Sequence, residues 1–240
     1  MELTEKNTVA DFVVKNIKTA HVFKKHGIDF CCGGGISLEK ACSKKKLDLS
    51  QLIKELDAVD TVHENTLDYD QWELGFLIDY IVNVHHSYVR EGIPMLSQYA
   101  NKVAKVHGHH YQELIGINEI FHDVANELND HMRKEEQILF PLIKQLSVVN
   151  KTSKTLETTQ TFSVSNIIQV MEQEHDQAGG AFKDIRKLTN NYTLPESACN
   201  TFRALYSKLE EFEQDLHQHI HLENNILHPK AITLEATLRD

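Results

Sequence analysis

A chain of 240 residues has room for one large domain, or for a medium domain and a small one. Its 41% hydrophobic and 25% charged content excludes bulk disorder, and no apolar run approaches the ~18–20 residues of a membrane span. The net charge of −10 argues against a nucleic-acid binder, the charged N-terminus against a secretory signal, and four cysteines, two of them adjacent, against a disulfide framework; a cytoplasmic location is expected.

Helical periodicity dominates the chain. A first helix is expected over Val9–Lys25, with Thr8 as N-cap and Gly27 as its stop. The tight loop Phe30-Cys31-Cys32-Gly33-Gly34-Gly35 follows. Ser37 can cap a short helix through Cys42, and Asp48 with Gln51 makes a capping box for a helix to about Val59. The first 60 residues hold 10 Lys/Arg and 9 Asp/Glu, the remainder 15 and 26, so two units with different surfaces are expected. They are a small helical domain over 1–60, a polar linker over 61–70, and a larger domain over 71–240. Four long helices are predicted in the latter, near 71–102, 110–146, 164–190 and 195–230, joined around Gly108, through Ser147–Thr161 and through Asn190–Leu194. The fold class is all-α, an up-down-up-down four-helix bundle behind a small helical domain.

An internal repeat ties the second and fourth helices together. His131-Met-Arg-Lys-Glu135-Glu-Gln-Ile138-Leu139-Phe-Pro141 and His219-Ile-His-Leu-Glu223-Asn-Asn-Ile226-Leu227-His-Pro229 share the pattern H-x3-E-x2-I-L-x-P. Residues i and i+4 of a helix share a face, so each copy directs an imidazole and a carboxylate to one place. His131 lies in the apolar stripe Phe121, Val124, Leu128, His131, Glu135, Ile138, Leu142, and His219 in Leu205, Leu209, Phe212, Leu216, His219, Glu223, Ile226. His175 occupies the stripe of the third helix, and His86 that of the first (Val82, His86, Val89, Ile93), with His85 as its alternative. One such histidine is most simply a hydrogen-bonded core residue. Four of them beside two inward carboxylates point to metal, because buried charges must be paired or coordinated.

The separations are 45, 44 and 44 residues, and their midpoints fall in or beside the predicted loops. The four histidines therefore stand at one height of an antiparallel bundle. Six ligands exceed the four of a structural zinc and suit two ions, each with two histidines, bridged by both glutamates. Iron or manganese suits such mixed donors, and zinc is also accommodated. His107 stands far from this layer. His85, His122, His217, His221 and His228 are expected off the inward face, and Glu136 in solvent.

Residues 71–230 resemble the haemerythrin-like bundles. The whole chain, with Asp29-Phe30-Cys31-Cys32-Gly33-Gly34, the two H-x3-E segments and Glu174-His175-Asp176, resembles the RIC (repair of iron centres) family of di-iron iron–sulfur cluster repair proteins. The resemblance implies a cytoplasmic homodimer acting under nitrosative or oxidative stress. Its clients are damaged iron–sulfur proteins, restored by iron donation, and nitric oxide or oxygen is its small ligand. It carries over, as ligands of two oxo- or hydroxo-bridged iron ions, His86, His131, Glu135, His175, His219 and Glu223. Oxygen-carrying haemerythrins have a second histidine four residues after the one in helix three; here that place is Gly179, which implies a more open site and more labile iron.

The vicinal Cys31 and Cys32 lack zinc-ligand spacing, and an intramolecular disulfide between neighbours is strained. One reading is a small buried pair beside a turn. The other, favoured by the glycine run that leaves the sulfurs approachable, is a redox or iron-transfer role with a thiol pKa lowered by nearby backbone N–H groups. Cys42 and Cys199 read as ordinary helix cysteines. Reduction of nitric oxide or peroxide, and a sensor of oxygen or nitric oxide, are the rival functions to repair.

Overall fold

The computed structural model describes residues 3–60, 67–152 and 163–239. Most of the expected linker 61–70 and much of the connection Ser147–Thr161 lie outside the described residues. The N-terminal unit begins with two helices, α1 (Val9–Lys15) and α2 (Thr19–Lys25), where one was expected. Thr8 caps α1 in a full capping box with Asp11. The break comes at Asn16, whose backbone is extended and whose side chain accepts from the Lys18 N–H. Helices α3 (Leu38–Lys45, capped by Ser37) and α4 (Leu49–Asp60) complete the unit, the latter started by the Asp48 side chain accepting from Gln51 N–H.

Four rods form the bundle, and three of them change helical type midway. The first runs through α5 (Leu74–Tyr80), a π-helical segment (Ile81–His86) and α6 (Ser87–His107). The second comprises α7 (Glu113–Lys134), a π segment (Glu135–Leu139) and α8 (Phe140–Thr152). The third is α9 (Val164–Leu188). The fourth is α10 (Asn200–Leu222), a π segment (Glu223–Leu227) and α11 (His228–Arg239). The fourth rod starts five residues later than Pro195 and runs to Arg239.

Each π segment absorbs an extra residue, which shifts the inward stripe beyond it. After Glu135 the core positions are Leu139, Ile143 and Leu146, not the Ile138 and Leu142 of an uninterrupted α-helix; Ile138 is 49% exposed. Likewise Ile81, not Val82, precedes His86 in the core.

The apolar interior falls into two clusters. One joins Val9, Phe23, Leu38 and Leu52 of the N-terminal unit to Leu96, Phe121, Phe182 and Phe212 of the bundle. The other packs Leu77, Ile81, Leu139, Ile168, Leu222 and Leu227 at the bundle's opposite end. Between them lies the layer of buried histidines and glutamates. Among the described residues no helix is long and apolar enough to cross a membrane.

Candidate metal centre

Each rod delivers one histidine to this layer, and the second and fourth each add a glutamate one turn later. His86 closes the first π segment, while Glu135 and Glu223 open the other two. All six side chains are buried. Nε2 of His86 lies 3.1 Å from Nε2 of His219, and Nε2 of His131 lies 2.9 Å from Nε2 of His175. Glu135 spans the pairs, with Oε2 3.3 Å from His86 and Oε1 3.4 Å from His131. Glu223 does the same from the other side, 3.1 Å from both His219 and His175. The donors thus sort into two tetrads, His86/Glu135/His219/Glu223 and His131/Glu135/His175/Glu223, with the ligand atoms of each within 4.8 Å of one another.

The chemistry of this donor set fits a pair of cations. Both oxygens of Glu135 and Oε2 of Glu223 are fully buried without a hydrogen bond. Uncompensated, such carboxylates cost several kcal/mol. Two facing Nε2 atoms need a shared proton or a shared cation between their lone pairs. With protons alone, burial disfavours charging of His86 and His131, yet the Glu135 and Glu223 carboxylates outweigh it and push the imidazoles up to about 10 and about 9. Burial and Glu223 also work against the Glu135 carboxylate, which the surrounding imidazoles hold at about 2. Burial pushes His219 down. A cation in each tetrad would replace these protons, so metal uptake releases them.

The next ring of contacts extends the repeat. Glu136, the residue after Glu135, accepts from Nδ1 of His86 at 2.6 Å, and Asn224, the residue after Glu223, from Nδ1 of His175 at 2.7 Å. Each therefore fixes the histidine of the preceding rod. Glu136 is half-buried and also bound by Arg90, which corrects its placement in solvent. Glu174, just before His175, accepts from Nδ1 of His131 at 2.9 Å and is paired with Lys134. The symmetry breaks at the fourth histidine. The residue before His86 is His85, whose ring stacks on His219 at 5.6 Å and whose Nδ1 bonds Asp215 at 2.9 Å. His219 Nδ1 is left buried without an acceptor. Carboxylate partners of this kind fix tautomer and basicity, and their loss typically costs 10–100-fold in metal affinity. Glu136→Ala should weaken ferrous iron binding by roughly that factor, read by competition with a chromophoric chelator.

Three of the histidines expected off the inward face are buried. His221 and His228 are completely buried, as is His85 but for a trace. His221 packs on Phe30 and bonds Asn225, and His228 stacks on His175. Docking of the N-terminal unit and the continuation into α11 cover faces that a lone bundle helix would expose.

Residues 77–231 match the family model described as the Hemerythrin HHE cation binding domain, and residues 5–60 match a Domain of Unknown function (DUF542). A protein of Staphylococcus haemolyticus named iron-sulfur cluster repair protein ScdA is 35% identical over 228 residues, 95% of this chain and 99% of that one. Iron-sulfur cluster repair protein YtfE of Yersinia pseudotuberculosis is 40% identical over 211 residues, 88% and 90% of the two chains. The chain belongs to the iron–sulfur cluster repair family.

In this repair-family chain the cysteine loop docks directly on the metal layer. Asp29 Oδ1 accepts from the N–H groups of Cys31 and Cys32, and Oδ2 from Lys183 of α9 at 2.8 Å. Asn225 donates to the carbonyls of Phe30 and Cys31. Gly34 permits the turn, since a Cβ there would lie 2.3 Å from the Phe30 carbonyl oxygen. Cys32 Sγ reaches within 3.7 Å of the His175 carbonyl oxygen and stands 3.6 Å from where a Gly179 Cβ would be. The space vacated at Gly179 is thus occupied by a thiol and not open. Cys31 is only 4% exposed, with its sulfur 3.8 Å from that of Cys32. The Cys32 contact, burial and Asp29 push the Cys31 thiol up, opposite to the expected lowering, because the loop N–H groups are spent on Asp29. Asp29 joins the two sulfurs in a third cluster of possible ligands. Cys42 is buried on α3, and exposed Cys199 precedes α10.

Proposed function

We propose that His86, His131, Glu135, His175, His219 and Glu223 hold two iron ions bridged by the two glutamates, and that the chain restores iron–sulfur clusters damaged by nitrosative or oxidative stress by giving up iron. The observation that carries this reading is the pair of buried tetrads sharing both carboxylates. When bound, the ions supply exchangeable iron and one-electron chemistry. The protein residues set how firmly they are held: three histidines are oriented through Nδ1, whereas His219 is not. The tetrad that contains His219 would therefore hold its ion less firmly than the other. Cys32, beside His175, offers the sulfur donor nearest that layer and serves with Cys31 in transfer to the client.

The test is reactivation of a nitric-oxide-damaged [4Fe–4S] dehydratase. Wild type should restore activity and His131→Ala should fail. The Cys31→Ser, Cys32→Ser variant should keep its iron while reactivating more slowly. Equal reactivation by iron-free His131→Ala would reject iron donation. Rapid consumption of nitric oxide by wild type without reactivation would favour a reductase instead.

A further inference from the structure

The loop Asp29-Phe30-Cys31-Cys32 gathers three metal-binding groups that the histidine layer does not use. Adjacent cysteines lack the usual ligand spacing, but the tight turn brings their sulfurs together and Asp29 supplies a third donor. Sγ of Cys31 lies 3.8 Å from Sγ of Cys32 and 3.4 Å from Oδ1 of Asp29. All three donors lie within 4.8 Å of one another. A tetrahedral cation with metal–sulfur bonds of about 2.3 Å and a metal–oxygen bond of about 2.0 Å sets two sulfurs roughly 3.8 Å apart, and a sulfur and an oxygen roughly 3.5 Å apart. The two edges that meet at Cys31 match those of such a site.

The loop is held in this shape from both units. Ala10 N–H donates to the Gly34 carbonyl at 2.9 Å, and Asn225 of the bundle donates to the carbonyls of Phe30 and Cys31. The Cys31 and Cys32 N–H groups and Lys183 fix the Asp29 carboxylate. Donors positioned by such bonds need little rearrangement to take an ion. Protons serve them less well. The single S–H of Cys31 faces two acceptors, Asp29 Oδ1 and Cys32 Sγ, and Cys32 is 3.7 Å from its acceptor, the His175 carbonyl. A cation meets all three donors at once.

We propose that Asp29, Cys31 and Cys32 form a third cation site, a way station for ferrous iron between the histidine layer and a client. The proposal rests on the iron-donation reading and names the atoms that receive the iron. The donors are two thiolates and a carboxylate; binding sends both thiol protons to solvent, and no electron is transferred. Two positive charges against three negative leave a net negative unit, which Lys183 on Asp29 Oδ2 offsets. Cys32 touches the backbone of His175 in the layer, and a cavity of about 200 Å3 borders Asp29 and Cys31. Three protein donors leave the fourth tetrahedral position to a thiolate of the client.

Cobalt(II) titration of the intact, reduced chain without oxygen tests this. Sulfur bound to cobalt gives a near-ultraviolet charge-transfer band that imidazole and carboxylate donors do not give. Wild type should bind three equivalents per chain, one of them with this band, and excess ferrous iron should bleach it. Cys31→Ser, Cys32→Ser should lose the band and keep the other two equivalents. Asp29→Asn, which keeps an acceptor for the loop N–H groups, should weaken the banded site by at least about tenfold. Cys199→Ser, at the exposed cysteine, should leave the band unaltered. Glu135→Ala, Glu223→Ala should keep the band while losing the equivalents of the layer, so the two assignments fail separately. Absence of the band from wild type, or its survival without Cys31 and Cys32, would overturn the site. A band that excess ferrous iron leaves unchanged would reject iron as its cargo.

Discussion

Replacing Glu135 and Glu223 together by Ala should abolish stoichiometric iron binding while leaving the far-ultraviolet helix signal largely intact. Both carboxylates belong to both tetrads, so each loss removes a possible donor from two ligand groups at once. The surrounding apolar clusters lie above and below the layer and stay packed. Metal analysis gives the first readout. A second is thermodynamic: a ligand at a hundredfold excess over its Kd stabilises the folded state by about 2.7 kcal/mol. Iron should therefore raise the melting temperature of wild type and leave that of the double variant where it was. Retention of two irons per chain by the double variant would reject the bridging roles.

Arg186→Met should destabilise the fold by about 3–5 kcal/mol in urea unfolding, the cost of stranding one partner of a buried ion pair. Glu213 is fully buried on α10, and its carboxylate receives Nε of Arg186 at 3.0 Å, a second guanidinium nitrogen at 2.6 Å, and the Tyr192 hydroxyl at 3.1 Å. Removing Arg186 leaves that carboxylate with the phenol alone. Adding Glu213→Leu should recover most of the loss, because a buried pair replaced by apolar groups is often neutral or stabilising. A single variant with wild-type stability would mean that water reaches Glu213.

The bundle and its histidine layer were legible in the sequence because both depend on local periodicity. A ligand four residues before another lies on the same face whatever surrounds it, and equal loop-to-histidine distances place residues at one height. The π segments were not legible: an added residue leaves no compositional mark, and it moved Ile138 outward and Leu139 inward. Glu136 and Asn224 were visible as paired positions in the repeat, yet their role needs the orientation of histidines on other rods. Burial of His221, His228 and Cys31 depends on how the N-terminal unit and α11 sit against the bundle, which is long-range docking with no spacing signature. Asn16 interrupted the first helix by extending its backbone, a capping competition that apolar periodicity does not register.

The thiol seated against Gly179 has a historical consequence. A side chain at that position, such as the histidine of the oxygen carriers, would start in contact with the Cys32 sulfur, so the imidazole one turn after His175 and the docked loop compete for neighbouring space. Across descendants of this architecture, the residue at position 179 and the presence of the N-terminal extension should be inherited together, as one character and not two.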